Sequence, residues 1–460
     1  MSETAPDRRR QSLYYLIGAA LQGTGAILVQ PFSIRILDAT EWGRVSVAIV
    51  LLQIGQVILS AGLPLTISKA YFDPHGGEGK ARAIHGFNVS LGMALALVVA
   101  AVYLAAAPDR AGAVPLALAV VATGLLNGVV SSQAILRSRG SALSFVLLSG
   151  GASLGAHGAG LAGILLFGPT AGTYLAAFAA AMLVTAAVGL RLASPRLPWS
   201  DPGSVKGALR LGLPILPHSI AIMVLLQGDL FLVQLFQGSE AAGRYAAAAV
   251  FALGPFAILS GLNNAWTTQI FRSAAASRLH EEVLRVSREA ALTAVGVGLL
   301  ATLSATIGML VLKGPDHEVA QLAKVLPGVA VGYAMYLVAT TSLLAVGRTL
   351  ALVWATPAVA LVAVLLAWLP AHSEHFWQLG SVRAAVFVLL GALYTALAVR
   401  AGAGRPPLRL FAGALGASAA VIAVNLALPT SLAAGSATLA VGLGAVAAVA
   451  FLWLRRRRPA

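Results

Sequence analysis

The chain contains no cysteine in 460 residues. Disulfides, thiolate metal sites and cysteine catalysis are therefore excluded, while the compartment stays open. Charge is also scarce. Only 10% of the residues are Asp, Glu, Lys or Arg, against roughly 25% in a soluble globular domain. Acidic residues number 16, against 31 basic ones. No polar stretch is long enough to fold as a separate soluble domain. Apolar sequence fills the space: 58% of residues are hydrophobic, the mean hydropathy is +0.86, and apolar runs recur along the whole length. That pattern describes a polytopic membrane protein. The net charge of +15 argues for no nucleic-acid partner, because the basic residues sit in short loops where membrane topology explains them. The N-terminal MSETAPDRRR reads as a cytoplasmic leader to a first span, since no small-residue cleavage site follows it.

A hydrocarbon core of about 30 Å needs roughly 20 apolar helical residues per crossing. Runs between charged or Pro/Gly breaks give fourteen spans, near 12–34, 44–68, 84–107, 111–136, 143–167, 171–193, 211–236, 243–270, 287–312, 321–346, 349–369, 382–400, 408–428 and 432–454. Backbone polar groups find no partner in lipid, so each span is expected to be helical. Cytoplasmic loops hold most Lys and Arg. With the N-terminus inside, 24 of the basic residues fall inside and 7 outside, Lys324 and Arg383 among the latter. Both termini are then cytoplasmic.

Residues 43–60, GRVSVAIVLLQIGQVILS, recur as 243–260, GRYAAAAVFALGPFAILS, with seven identities. The copies lie in spans 2 and 8. An even number of crossings separates them, so both run in the same direction. SRG at 138–140 resembles VGR at 346–348, each before the next span. The expected architecture is two parallel, pseudo-symmetric six-helix lobes, 1–194 and 195–401, followed by two extra helices and a basic tail, 402–460. Two facing lobes with a cleft between them suit alternating access.

The stretch PFSIRILDATEWGRVSVAIVLLQIGQVILSAGLPLTISKAYF, with its acidic-aromatic-Gly turn at Asp38, Glu41, Trp42 and Gly43, resembles the opening of polysaccharide-biosynthesis flippases. These belong to the multidrug/oligosaccharidyl-lipid/polysaccharide (MOP) exporter superfamily, which also holds the multidrug/toxin extruders and the lipid II flippase. LGLPILPHSIAIMVLLQGDLFLVQLFQGSEAAGRYAAAAVF resembles the start of that family's second lobe. Fourteen spans suit the lipid II branch, but its first-span arginines are not matched; Arg35 lies at the outer end of span 1 instead. The resemblance implies movement of an undecaprenyl-pyrophosphate-linked oligosaccharide from the inner to the outer leaflet of a bacterial membrane. Polymerase or glycosyltransferase proteins are the implied partners, and no cofactor is implied.

A flippase of that kind needs a hydrated, cationic site for a pyrophosphate head group. Arginine suits phosphate because its planar fork bonds two oxygens. Arg137 and Arg139 follow span 4 and Arg348 follows span 10, equivalent places in the two lobes, and Lys69 ends span 2. Each reads equally as a positive-inside anchor. Gln53 and Gln56 share one face of span 2, Asn127 lies in span 4, and Asn264 with Trp266 lies in span 8, where they would meet sugar hydroxyls and a sugar ring. Polar groups in membrane helices also serve as interhelical ties. Asp229 stands apart as the one acidic residue deep in a span. A charge there is costly unless it meets water or a partner. It lies three turns after His218 on one helix face. Asp229, with His218, is therefore the candidate for binding a proton or a cation such as Na+, its charge biasing the lobes.

An enzyme acting on the same lipid donor would need catalytic groups in a sizeable external domain. The external loops are short, and the longest, about 370–382, offers His372, Glu374 and His375, which read as solvated surface. The segment 272–290 reads as an amphipathic interfacial helix, and Arg455–Arg458 as an anchor to the anionic inner surface.

Overall fold

The computed structural model describes residues 5–73, 77–275, 278–312, 316–348, 350–373 and 377–456. The described chain is helical, with no strand among those residues. Among the described residues, eleven helices are long and apolar enough to cross a membrane. One of these runs from Pro202 to Asn263, 62 residues, about 93 Å if straight. It breaks at Gly238, where φ is 84° and ψ −175°, and so supplies two crossings. With the long first and last helices, the described residues hold the fourteen long helical segments expected.

Contacts divide the chain into two units, Met1–Gln227 and Gly228–Ala460. The division falls inside span 7, later than the residue 194 boundary read from the sequence.

The N-terminal unit begins with α1 (Ala5–Ile36) and α2 (Ala39–Ser60). Asp38 caps α2 by accepting the Glu41 N–H at 2.8 Å. Trp42, 1% exposed, packs edge-on against Tyr174. After α3 (Leu63–Tyr71) come α4 (Gly77–Ala106) and α5 (Arg110–Ser138). Span 5 is α6 (Ala142–Gly150) and α7 (Ala156–Phe167), joined by a π turn. α8 (Ala171–Ala193) and the short α9 (Pro202–Gly212) complete the unit, with the first part of α10 (Leu216–Ala275). Span 2 breaks at Ala61 and Gly62, both left-handed. Gly62 lets α3 turn, and a Cβ there would lie 2.7 Å from the Gly212 carbonyl oxygen. The two backbones touch, so α9 seats directly on α3.

The C-terminal unit holds the rest of α10, α11 (Leu279–Leu312), α12 (His317–Val325), α13 (Val329–Ala345), α14 (Leu350–His372), α15 (Gln378–Arg400), α16 (Leu408–Ala427) and α17 (Leu432–Arg456). Helix α13 is buried from Val329 to Leu343. An apolar helix buried all round is the centre of its bundle. α16 and α17 pack along α11, and so belong to this unit and do not hang from it. Segment 272–290 is no separate helix: its first part ends α10 and its second opens α11. Glu374, His375, Arg457 and Arg458 lie outside the described residues.

The weak SRG/VGR likeness has a structural counterpart. Gly140 (φ 81°) and Gly347 (φ 75°) each follow a long helix. The N–H of Gly140 bonds the Arg137 carbonyl, and the N–H of Ser141 that of Leu136. Gly347 and Arg348 repeat those two spacings onto Leu344 and Leu343. Both are the same glycine-terminated helix end.

Candidate functional site: a buried ion pair in the C-terminal unit

Tyr245 lies sixteen positions after Asp229 on α10, about 24 Å along a straight helix. Its hydroxyl nonetheless donates to Asp229 Oδ2. The Gly238 bend makes this contact by folding the chain back on itself. Positive φ with extended ψ is essentially glycine territory, and Gly238 adopts it without a Cβ penalty.

The third member comes from α15. Arg383 Nη1 lies 3.4 Å from Asp229 Oδ2 and 3.4 Å from the Tyr245 hydroxyl. The side chains of Arg383 and Asp229 are 8% and 10% exposed. Arg383 Cζ also stands 5.5 Å from the Phe256 ring centre, a cation–π distance. Span 12, which hydropathy begins at residue 382, puts Arg383 at its outer edge among the loop charges. The helix starts at Gln378, which places the guanidinium inside the span. Lys324, another supposed loop charge, is 1% exposed; its Nζ donates to the Asn425 and Leu428 carbonyls at 2.8 and 3.1 Å. Removing both from the loop count sharpens the basic bias of the other face.

A column of aromatic rings leads away from the pair. Phe256 meets Tyr333 edge-on at 4.8 Å and Phe387 at 5.4 Å. Tyr333 stacks with Tyr336 at 6.0 Å, and Tyr336 meets Tyr394 at 5.2 Å. Ser260, the last residue of the repeated segment, bonds the Tyr333 hydroxyl at 2.8 Å. Two polar atoms of the site have no hydrogen-bond partner among the described residues, Asp229 Oδ1 and Arg383 Nε. A buried ion pair breaks roughly even against desolvation when fully bonded. Two open positions beside it are costly in lipid, which makes the cluster a functional candidate.

The other residues singled out in the sequence scatter. In the N-terminal unit, Asn127 is fully buried and exchanges amide bonds with Asn88, so it ties α5 to α4 and offers no face to a sugar. Gln53 accepts from Gln227, and Gln56 is half-buried. Arg139 bonds Glu78 at 2.9 Å and the Leu192 carbonyl, while Arg137 is exposed. Lys69 is exposed at the end of α3. His218 is half-buried and belongs to this unit, whereas Asp229 belongs to the other. In the C-terminal unit Arg348 is exposed past the Gly347 turn. Trp266 is 3% exposed, so its ring packs internally and does not present a stacking surface. The side chain of Asn264 lies outside the described residues.

Comparison with protein families decides the kinship. A model described as "Polysaccharide biosynthesis protein" matches residues 9–268, more than half of the chain. The chain belongs to the polysaccharide biosynthesis protein family. Comparison with curated proteins finds no match. Among solved structures, this family member is similar to a MOP superfamily transporter from Pyrococcus furiosus Vc1 (DSM3638), described as having a binding pocket of reversed polarity. That likeness has a TM-score of 0.61 at 16% identity, covering 86% of this chain and 96% of the other. It is also similar to an inward-facing multidrug resistance MATE family transporter, with TM-score 0.64, 16% identity and 85% and 95% coverage. An outward-facing MATE structure matches with TM-score 0.59, 16% identity and 86% and 96% coverage. The fold is thus MATE-like, and the chain is a multi-pass membrane protein.

Proposed function

We propose that this membrane protein is a transporter, a flippase carrying an undecaprenyl-pyrophosphate-linked oligosaccharide from the cytoplasmic to the outer leaflet of a bacterial membrane, for cell-surface polysaccharide synthesis. Its termini face the cytoplasm, and it works beside polymerase and glycosyltransferase proteins. The family match supports the substrate class. The existence of similar folds in inward- and outward-facing forms supports alternating access. The observation that carries the mechanism is the Asp229–Arg383 pair.

A guanidinium held in an apolar bundle is a cation waiting for an anion. Asp229 holds it while charged. A proton added at the open Oδ1 removes the negative charge and leaves Arg383 with only the Tyr245 hydroxyl and the Phe256 ring. Protonation thus weakens the tie between α10 and α15 and leaves the guanidinium available to phosphate. The charge state of Asp229 biases one conformation over another, as coupling requires.

A second reading, a proton- or Na+-coupled small-molecule antiporter, draws support from the MATE-like fold and from the carboxylate itself. Gene deletion separates the two. The flippase reading expects lipid-linked glycan to accumulate on the cytoplasmic leaflet and wild-type protein to clear it. Unchanged glycan together with new drug sensitivity overturns it in favour of the antiporter.

A further inference from the structure

The N-terminal unit carries a cavity that the proposed transport cycle does not use. It has a volume of about 420 Å³ and lies among the end of α3, the start of α4, and α9. Its polar lining residues include Lys69, Lys80, Asp73 and Ser204. Lys80 Nζ pairs with Asp73 at 2.8 Å, both about one-third exposed. Asp73 thereby fixes where Lys80 points. Lys69 stands exposed on the last turn of α3. Two ammonium groups against one carboxylate leave the lining with one net positive charge, matched to a singly charged phosphate.

Most of the remaining lining is apolar. Ile84 and Ala208 form a buried floor, 2% and 5% exposed, continuous with the Leu63, Ile67 and Val205 cluster beneath α9. Phe72 and Leu211 form the rim, 71% and 50% exposed. Leu65 and Leu213 extend that exposed apolar surface on either side, 64% and 48% exposed. The Gly62–Gly212 backbone contact seats α9 against α3. The basic-residue bias puts this end of the unit at the cytoplasmic surface. Lys206 and Arg210 on α9 add positive charge nearby.

A cavity that combines rotatable ammonium donors with an exposed apolar lip fits an amphiphile whose head is a phosphate. A water-soluble anion gains nothing from the lip, and a neutral lipid gains nothing from the lysines. Lysine suits the task because it offers a mobile point charge and does not demand a fixed fork geometry. We propose that this cavity binds the phosphate head group of an anionic lipid at the inner membrane surface. Such a head group comes from a bulk phospholipid or from a polyprenyl phosphate. Only the second source rests on the flippase reading.

The test uses the purified full-length protein in detergent, with bound lipid read by native mass spectrometry. Probes are phosphatidylglycerol, phosphatidylcholine, undecaprenyl phosphate and inorganic pyrophosphate. The proposal expects an anionic lipid to be retained over phosphatidylcholine, and Lys69→Ala with Lys80→Ala to reduce that retention at least about tenfold. Gly207→Leu is the second variant. Gly207 lines the cavity, and a Cβ there meets nothing within 4 Å, so the larger side chain fills the space and keeps every charge. It too should lower retention while leaving thermal stability unchanged. Preference for phosphatidylglycerol or for undecaprenyl phosphate each upholds the site and identifies its source. Equal retention of phosphatidylcholine, pyrophosphate binding as tightly as lipid, or unchanged retention in the Gly207→Leu protein overturns it. None of these readings measures transport, so failure here leaves the flippase proposal standing.

Discussion

Arg383 and Asp229, 154 positions apart in sequence, meet at 3.4 Å within the C-terminal unit. Removing one partner of a buried pair leaves an uncompensated charge, at a cost of about 3–5 kcal/mol. Arg383→Ala is therefore expected to lower the melting temperature of the purified protein. The double variant Asp229→Asn/Arg383→Leu should recover much of that stability, because it leaves no uncompensated charge buried. If the pair only fixes packing, the double variant transports normally. If it carries coupling, the variant is stable and inactive. Thermal unfolding and transport, measured on the same preparations, separate these outcomes.

Gly238 turns α10 with φ 84° and ψ −175°. A Cβ there meets nothing within 4 Å, so Gly238→Ala tests backbone strain alone. The expected cost is about 1–3 kcal/mol. The loss should spread to Tyr245, whose bond to Asp229 depends on the bend. Faster hydrogen exchange around 229–245 checks it; exchange equal to wild type contradicts it.

Lys324 donates to two carbonyls at the end of α16, and Asn425 Nδ2 donates to the Thr302 carbonyl at 2.7 Å. Together they strap α16 to α12 and α11. Lys324→Met keeps the volume and removes the donors. The account expects about 1–3 kcal/mol of destabilisation from the orphaned carbonyls, felt first as increased exchange near residues 425–428. Global unfolding at unchanged local exchange would show that the strap does not exist.

Asp316 caps α12 and pairs with Arg244 at 2.9 Å. Burial alone pushes its carboxyl up, but the Arg244 hydrogen bond and the Val319 N–H outweigh burial and hold it below its ordinary value. A carboxyl depressed in the folded state adds stability above its unfolded value, about 3.9. That increment is lost as pH falls through the folded value. Thermal stability should therefore drop on acidification below about pH 4, and Asp316→Asn should lose the same increment already at neutral pH. A variant with the wild-type acid profile contradicts this.

Much of this architecture was legible in the sequence because lipid enforces it. Apolar length fixed the spans, and the short turns at Gly347 and Pro429 fell where charge and breakers placed them. Asp229 stood out as a lone acid in an apolar run. Arg383 did not, because it begins an apolar run whose helix starts four residues earlier than the hydropathy edge. Its signal was a single arginine followed by sixteen residues without charge. Asn127 and Trp266 were polar or aromatic in the right spans, but one helical face looks like another until the neighbours are known. The buried Asn88 amide is what claims Asn127 for packing. Lys324 hid for the opposite reason: it lies near the start of its apolar run, on a short helix before Pro327.

The central claim is transbilayer movement of a lipid-linked glycan governed by Asp229. The direct measurement reconstitutes the purified protein in liposomes carrying a fluorescent polyprenyl-pyrophosphate-linked oligosaccharide, and follows its protection from an impermeant quencher. Wild-type protein is predicted to equilibrate the lipid between leaflets, and Asp229→Asn, folded and inserted, is predicted to leave it on one side. Movement by the wild type no faster than in protein-free liposomes, or equal movement by Asp229→Asn, would contradict the account.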